Sequence, residues 1–198
     1  RVLSEVAAGT IGTPLSGRCR RMVSKPANAN WWFNVNESGG VAVDVAIHDF
    51  DQMNQYFGIP LAVTSVSRDS LGPIETTIEY RDGGLAQVLS FADLPKGSPL
   101  ISSLELVGDK GIIDYHCVSG TPGSIRSING SGIKFPFIEP DDPYVKQVEY
   151  FASCVTENRQ PTTVTTTKSI HALAVSLAAN ESLSTSSRVL VKSDALPT

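Results

Sequence analysis

Apolar positions change period twice along the chain. Val2, Leu3, Val6 and Ala7 recur at helical spacing ahead of Gly9 and Gly12, which predicts the last turns of a helix closed by a glycine stop. Residues 15–24 read as a strand and 25–38 as a loop carrying Trp31, Trp32 and Phe33. The segment 39–58, GGVAVDVAIHDFDQMNQYFG, predicts one helix of about five turns, free of proline and ending at Gly58. From Leu61 the period falls from helical to alternating, giving strands at 61–68, 74–80 and 85–92, the last two joined by an RDGG hairpin. Strands at 102–107 and 111–116 meet at the turn GDKG, and two more at 124–128 and 132–138 flank Asn129-Gly130.

After Asp141, Asp142 and Pro143 the pattern returns to helical: Tyr144, Val145, Val148, Phe151, Ala152 and Val155 lie along one face, with acidic capping and proline in the first turn. A second helix follows the threonine run with Ile170, Leu173, Ala174, Leu177 and Ala178 on its apolar face, and 187–191 closes as a short strand. Consecutive strands without helical crossovers exclude a βαβ alternation. The expected fold is α+β, a large mainly antiparallel sheet with helices packed on one face. Within 85–92 one parity carries Leu85, Leu89 and Phe91 and the other Ala86, Val88, Ser90 and Ala92. The large set is expected under the helices. The small, partly apolar set would then form an outer face too apolar for plain solvent contact, which predicts a homo-oligomer through that face.

Composition narrows the partners. Sixteen Lys and Arg against 20 Asp and Glu leave a net charge of −4, and Arg18, Arg20 and Arg21 are the densest basic group, so nucleic acid is not an expected partner. Apolar runs fall far short of the roughly 20 residues of a membrane span. Three cysteines, far apart and in no C-x-x-C pair, fit a reducing compartment, and the cytoplasm is the expected location. The chain begins at Arg1 in the middle of an amphipathic stretch and reads as part of a longer protein.

The chemistry concentrates in the central helix. On one continuous helix Asp44, His48, Asp51 and Gln55 fall within roughly 60° of arc, opposite Ala46, Phe50, Met53 and Phe57. A solvated face explains the same stripe. Against that, it holds no Lys or Arg, and a carboxylate one turn before an imidazole can orient the ring for general acid or base work. Three ligands from one helix face seldom complete a metal site, so none is expected. His116, His171 and the aromatic run fit structural roles better than chemical ones. Lys25, in the loop leading to the helix, is a candidate contact for a substrate hydroxyl or phosphate. No G-x-G-x-x-G, P-loop, H-E-x-x-H or G-x-S-x-G is present.

Four segments together resemble the C-terminal domain of the Gfo/Idh/MocA sugar and polyol dehydrogenases: VLSEVAAGTIGTP, SGGVAVDVAIHDFD, LELVGDKGIID and DPYVKQVEYFASCVTENRQP. The second is similar to the family's G-G-x-x-x-D-x-x-x-H-x-x-D. By position the resemblance implies that Asp44 and His48 are the catalytic pair and that Asp51 binds substrate hydroxyls. It further implies that residues 1–198 form the substrate-binding, catalytic and oligomerisation domain. NAD or NADP would be held mainly by a Rossmann domain outside this chain, which would also supply the family's Glu-Lys-Pro lysine. On its own the chain is then expected to be inactive. SPLISS before Glu105, where inositol-specific relatives tend to place Tyr, points away from inositol itself. The alternative from another class is a non-catalytic carbohydrate-binding or assembly domain of the same fold.

Overall fold

A computed structural model describes residues 2–24, 30–69, 71–119, 123–134 and 142–192. The elements in chain order are α1 (Val2–Ala7), β1 (Pro14–Ser24), a 3-10 turn (Asn30–Phe33), α2 (Val35–Ser38), α3 (Gly40–Asp44) and α4 (Ile47–Phe57). Then come β2 (Pro60–Ser67), β3 (Ile74–Tyr80), β4 (Leu85–Leu94), β5 (Ile101–Gly108), β6 (Gly111–Val118), β7 (Ser124–Asn129) and β8 (Gly132–Lys134). Helices α5 (Pro143–Thr156) and α6 (Thr166–Thr185) and the short β9 (Val189–Leu190) complete the fold.

The strands form one nine-stranded sheet in the order β8-β7-β6-β5-β1-β4-β3-β2-β9. Every neighbouring pair is antiparallel except β1 and β4, which run parallel with Cys19 opposite Val88. The first strand after α1 therefore lies in the middle of the sheet, and alternate residues of β1 face the helices at its centre. Gly17 is where α4 sits closest: a Cβ there would lie 2.9 Å from both Met53 Sδ and Phe57 Cε2. A side chain at this position would force the Met53 and Phe57 side chains to move.

The core lies between the sheet and helices α4 and α6. Phe50, Met53, Ile78, Leu106, Ile113 and Val175 are fully buried there. A smaller cluster of Trp32, Val41, Val45, Ile74 and Ala92 seats the 3-10 turn and α3. The α+β class and nearly every expected strand hold, although the far end of the 132–138 strand lies outside the described residues.

One expected face is reversed, and a second is turned so that only part of it is buried. In β4 the small residues Ala86, Val88, Ser90 and Ala92 are the buried set, while Leu85, Gln87, Leu89 and Phe91 look outward. A helix lying flat on a sheet needs low relief beneath it, so the small parity takes the inner side. In α6 the buried set is Ala172, Ala174, Val175, Ser176, Ala178, Ala179 and Ser182, leaving Leu173 and Leu177 37% and 55% exposed. The same close packing selects small residues: Ser182 Oγ accepts the Ser65 N–H at 2.9 Å.

The expected five-turn central helix is also interrupted. The Val41 carbonyl accepts from both Val45 N (3.0 Å) and Ala46 N (2.9 Å), the second being a five-residue bond of the kind that marks a π-bulge. The helix resumes at Ile47 as α4.

Candidate active site

Gly39 and Gly40 begin the site. Both hold positive φ, 75° and 72°, where Gly39 closes α2 and opens α3, and a Cβ on Gly39 would lie 2.7 Å from Val43 Cβ. This conformation favours glycine, which accounts for the pair in the motif. Asn180 Nδ2 on α6 donates to the Gly39 carbonyl at 2.9 Å and ties the turn down.

Asp44 ends α3, and the bulge after it takes it out of step with the stripe on α4. One extra residue rotates the next helical segment by about 100°. The Asp44 carboxylate accepts a hydrogen bond from the Trp32 indole N–H. Trp32 is 5% exposed, so the tryptophan anchors the loop to the smaller core and fixes the carboxylate at the same time. His48 lies in the first turn of α4, is exposed, and makes no hydrogen bond among the described residues. Asp51 is half-buried on the next turn, where one of its oxygens accepts from Gln55 Nε2 at 2.9 Å. His48, Asp51 and Gln55 thus share one side of α4, with Asp44 behind the bulge. Lys25 lies outside the described residues.

The side chain next to His48 does what sequence reasoning missed. Asp49 is fully buried, and Arg21 of β1 grips it with two bonds, Nε to Oδ2 at 3.0 Å and Nη2 to Oδ1 at 2.9 Å. Burial pushes the Asp49 carboxyl above the usual carboxylate range, while the Arg21 charge and hydrogen bonds oppose the rise. The signal was present in the sequence: Arg21 shares strand parity with Gly17 and Cys19, and Asp49 falls among Ala46, Phe50 and Met53 on the apolar side of the helix. A charge at a core position on each of two elements calls for its opposite on the other. The pair pins the start of α4 to the sheet, directly beneath His48.

Around it the inner face is polar and only partly covered. Cys19 is buried and its thiol is raised by desolvation, with Gln52 Oε1 3.7 Å from the sulfur. Ser102 on β5 lies opposite both Arg21 and Cys117, and all three are partly open. Tyr115 on β6 is half-buried and pushed up to about 12 by burial. These hydroxyls and the thiol, with the free side of α4, line the inner face with hydrogen-bond donors and acceptors. Two concavities lie elsewhere. One of about 560 Å³ opens on the outer face among Arg18, Arg20, Glu75, Glu105 and Asp114, and one of about 590 Å³ lies by α3, β2 and α6. Among the described residues no group of three or more His, Cys, Asp or Glu side chains could hold a metal ion. Nor is any described helix long and apolar enough to cross a membrane.

These features define an α+β domain with one open, mainly antiparallel sheet and a carboxylate and histidine helix pinned to its inner face. The chain belongs to the GFO/IDH/MocA C-terminal domain family, whose model matches residues 1–114. Its sequence is 27% identical to scyllo-inositol 2-dehydrogenase (NAD(+)) of Bacillus subtilis strain 168 over 177 residues, covering 79% of this chain and 48% of that protein. Levoglucosan dehydrogenase, solved with NADH and levoglucosan, superimposes with a TM-score of 0.79 at 18% identity, over 96% of this chain and 62% of that one. Aldose-aldose oxidoreductase from Caulobacter crescentus, solved with glycerol, gives 0.77 at 18% identity, over 95% and 58%. The structural likenesses establish the fold. The chain spans about half the length of its curated relative.

Proposed function

We propose that residues 1–198 are the substrate-binding and catalytic domain of an NAD(P)-dependent oxidoreductase acting on a secondary alcohol of a sugar, amino-sugar or polyol. The observation that carries the reading is the motif helix itself: Arg21 and Asp49 fasten α4 to the sheet and leave His48 and Asp51 on its open side. The names of the relatives, an inositol dehydrogenase and a levoglucosan dehydrogenase solved with NADH, support the same class.

The residues here do not fit a dinucleotide by themselves. The sequence carries no G-x-G-x-x-G, and among the described residues β1 and β4 are the one parallel pair in an otherwise antiparallel sheet, unlike the run of parallel strands that cradles a dinucleotide. The nicotinamide, which accepts or gives the hydride when bound, is therefore assigned to a Rossmann domain of the longer protein. What this chain contributes is proton handling and orientation. His48 takes the proton of the reacting hydroxyl. Asp51 accepts a hydrogen bond from a neighbouring hydroxyl and sets which carbon is presented. Asp44, held by the Trp32 indole N–H behind the bulge, is the second member of the catalytic pair. Lys25 is a further candidate for a substrate hydroxyl or phosphate.

The working unit is a homo-oligomer joined through the outer sheet face. That face presents the larger residues Leu89 and Phe91 together with Arg18, Arg20, Glu75 and Glu105, charges of both signs that a two-fold axis can pair with one another.

The test is turnover by the protein carrying its nucleotide domain, across a panel of sugars and polyols with NAD⁺ and NADP⁺. His48→Asn is expected to keep the fold and the cofactor KM and to lower kcat by about 10² to 10⁴, the range for a lost general base. Unchanged kcat with an unchanged pH profile would overturn the catalytic assignment and favour a carbohydrate-binding or assembly domain.

A further inference from the structure

Helix α5 is well formed and almost uncovered. Asp142 caps its N-terminus, its carboxylate accepting the Tyr144 N–H at 2.9 Å, and proline occupies its first turn. Tyr144, Val148, Phe151 and Val155 recur at helical spacing, fall within about 60° of arc, and are 78%, 68%, 61% and 65% exposed. Val145 extends the stripe at 50% exposed. Among the described residues α5 makes no extended packing contact with the sheet or another helix. What contact it has lies on its other side, where the Tyr150 hydroxyl accepts the N–H groups of Thr162 and Thr163 at 2.8 and 3.0 Å. Cys154, buried on the same side, accepts the Arg159 N–H through its carbonyl at 2.9 Å.

A helix of 14 residues is marginal in water without a partner, and a continuous apolar stripe of this kind marks a contact surface. We propose that the apolar stripe of α5 is a docking surface for the nucleotide-binding domain of the same polypeptide, so that α5 clamps the two domains together. The inference rests on the two-domain reading above. Two observations choose this occupant over a second copy. First, the match to levoglucosan dehydrogenase takes in 96% of this chain but only 62% of that protein, leaving more than a third of its length outside the matched fold, enough for a further domain. Second, the stripe is four or five side chains on a helix about 21 Å long. A stable dimer needs roughly 800 Å² from each partner, more than one such stripe offers. A contact inside one chain needs far less, because the tether keeps the partner at high effective concentration.

The experiment uses the protein with its nucleotide domain and reads thiol labelling by a maleimide, with the wild-type rate from the native cysteines subtracted. Val148→Cys on the stripe is compared with Gln147→Cys on the exposed flank, and Val155→Cys repeats the measurement at the penultimate residue of the helix. Both stripe thiols are expected to label at least about ten-fold more slowly than the flank thiol, independently of protein concentration. Equal rates overturn the docking surface. Protection lost on dilution also overturns it, because the occupant is then a second copy. NADH binding is followed by fluorescence on the same samples. Binding with equal labelling rates sinks the docking surface alone, whereas absence of binding in the wild type sinks the dehydrogenase reading and with it the identity of the occupant.

Discussion

Helices α4 and α5 are alike in length and pattern and opposite in what they touch. Each carries apolar residues at helical spacing along one side: Ala46, Phe50, Met53 and Phe57 lead into and along α4, and Tyr144, Val148, Phe151 and Val155 run along α5. In α4 the stripe lies against β1, with Phe50 and Met53 fully buried and no side chain at Gly17 to keep them off. In α5 the stripe is bare. Amphipathic periodicity therefore announces that a helix has a partner, without saying that the partner is in the same domain. The difference lies in the sheet, which is surfaced for α4 by Gly17, Cys19 and the small parity of β4 and offers α5 no such seat.

The sharpest way to test this contrast is a matched pair of truncations. Phe50→Ala removes a fully buried ring and is expected to cost about 3–5 kcal/mol, read as a shift of the urea midpoint. Phe151→Ala in this same chain, where the ring is 61% exposed, is expected to stay within about 0.5 kcal/mol. A comparable loss at both sites would mean that α5 is seated in the core after all.

Close behind comes the pin beneath His48. Arg21→Met leaves the Asp49 carboxylate buried without its partner and is expected to cost about 3–5 kcal/mol near pH 7. The pH dependence has a definite sign. Burial already holds the Asp49 pKa above its unfolded value, and Arg21 opposes that rise, so removing Arg21 raises it further. A raised folded pKa contributes stability below the unfolded value of about 3.9, and this is lost as pH climbs through the folded value. The variant is therefore closest to wild type in acid, and its deficit widens toward neutral pH. Replacing both partners, Arg21→Met with Asp49→Leu, is expected to recover most of the loss. A pH-independent deficit in denaturant titrations at pH 4.5, 6 and 7.5 would mean that the pair does not anchor α4.

How much of this was legible depends on the range of the forces involved. Strand alternation and turn residues are local, so the succession of strands along the chain and the α+β class could be read directly, while the central parallel pairing of β1 with β4, a long-range contact, could not. The Gly39-Gly40 pair and the Asp142-Pro143 start of α5 were equally plain, being written in backbone preference. Face assignment was not. Parity separates Leu89 from Val88 but not inside from outside, and intuition places large residues inward. The low relief demanded by a flat-lying helix reversed β4 and turned α6, burying Ala174 and Ala178 of its expected face but not Leu173 and Leu177. The bulge at Val45 and Ala46 was hidden for a related reason. It swings Asp44 toward Trp32, a residue 12 positions earlier in the chain, and no helical period reports such a contact. Sequence pattern placed His48 and Asp51 on one side of α4 correctly, because four residues of regular helix are again a local matter.

The smallest expected effect separates the two kinds of helix by where its cost is felt. Asp142 caps α5 by accepting the Tyr144 N–H at 2.9 Å, and Thr165 caps α6 by accepting the Lys168 N–H at 3.3 Å. Removing either cap is expected to cost about 1 kcal/mol of helix stability. Helix α6 is packed against β2 and α4, so it cannot fray without loosening the core, and Thr165→Ala should lower the global unfolding midpoint by that amount. Helix α5 is not so held in this chain, and it opens as a local unit. Asp142→Ala should therefore leave the global midpoint unchanged while amide exchange across 144–155 quickens about five-fold. When the nucleotide domain is present and seated on the stripe, the same substitution should begin to move the global transition as well. If Asp142→Ala already lowers the midpoint of the isolated chain as far as Thr165→Ala does, the two helices are coupled to the core alike and the contrast between them fails.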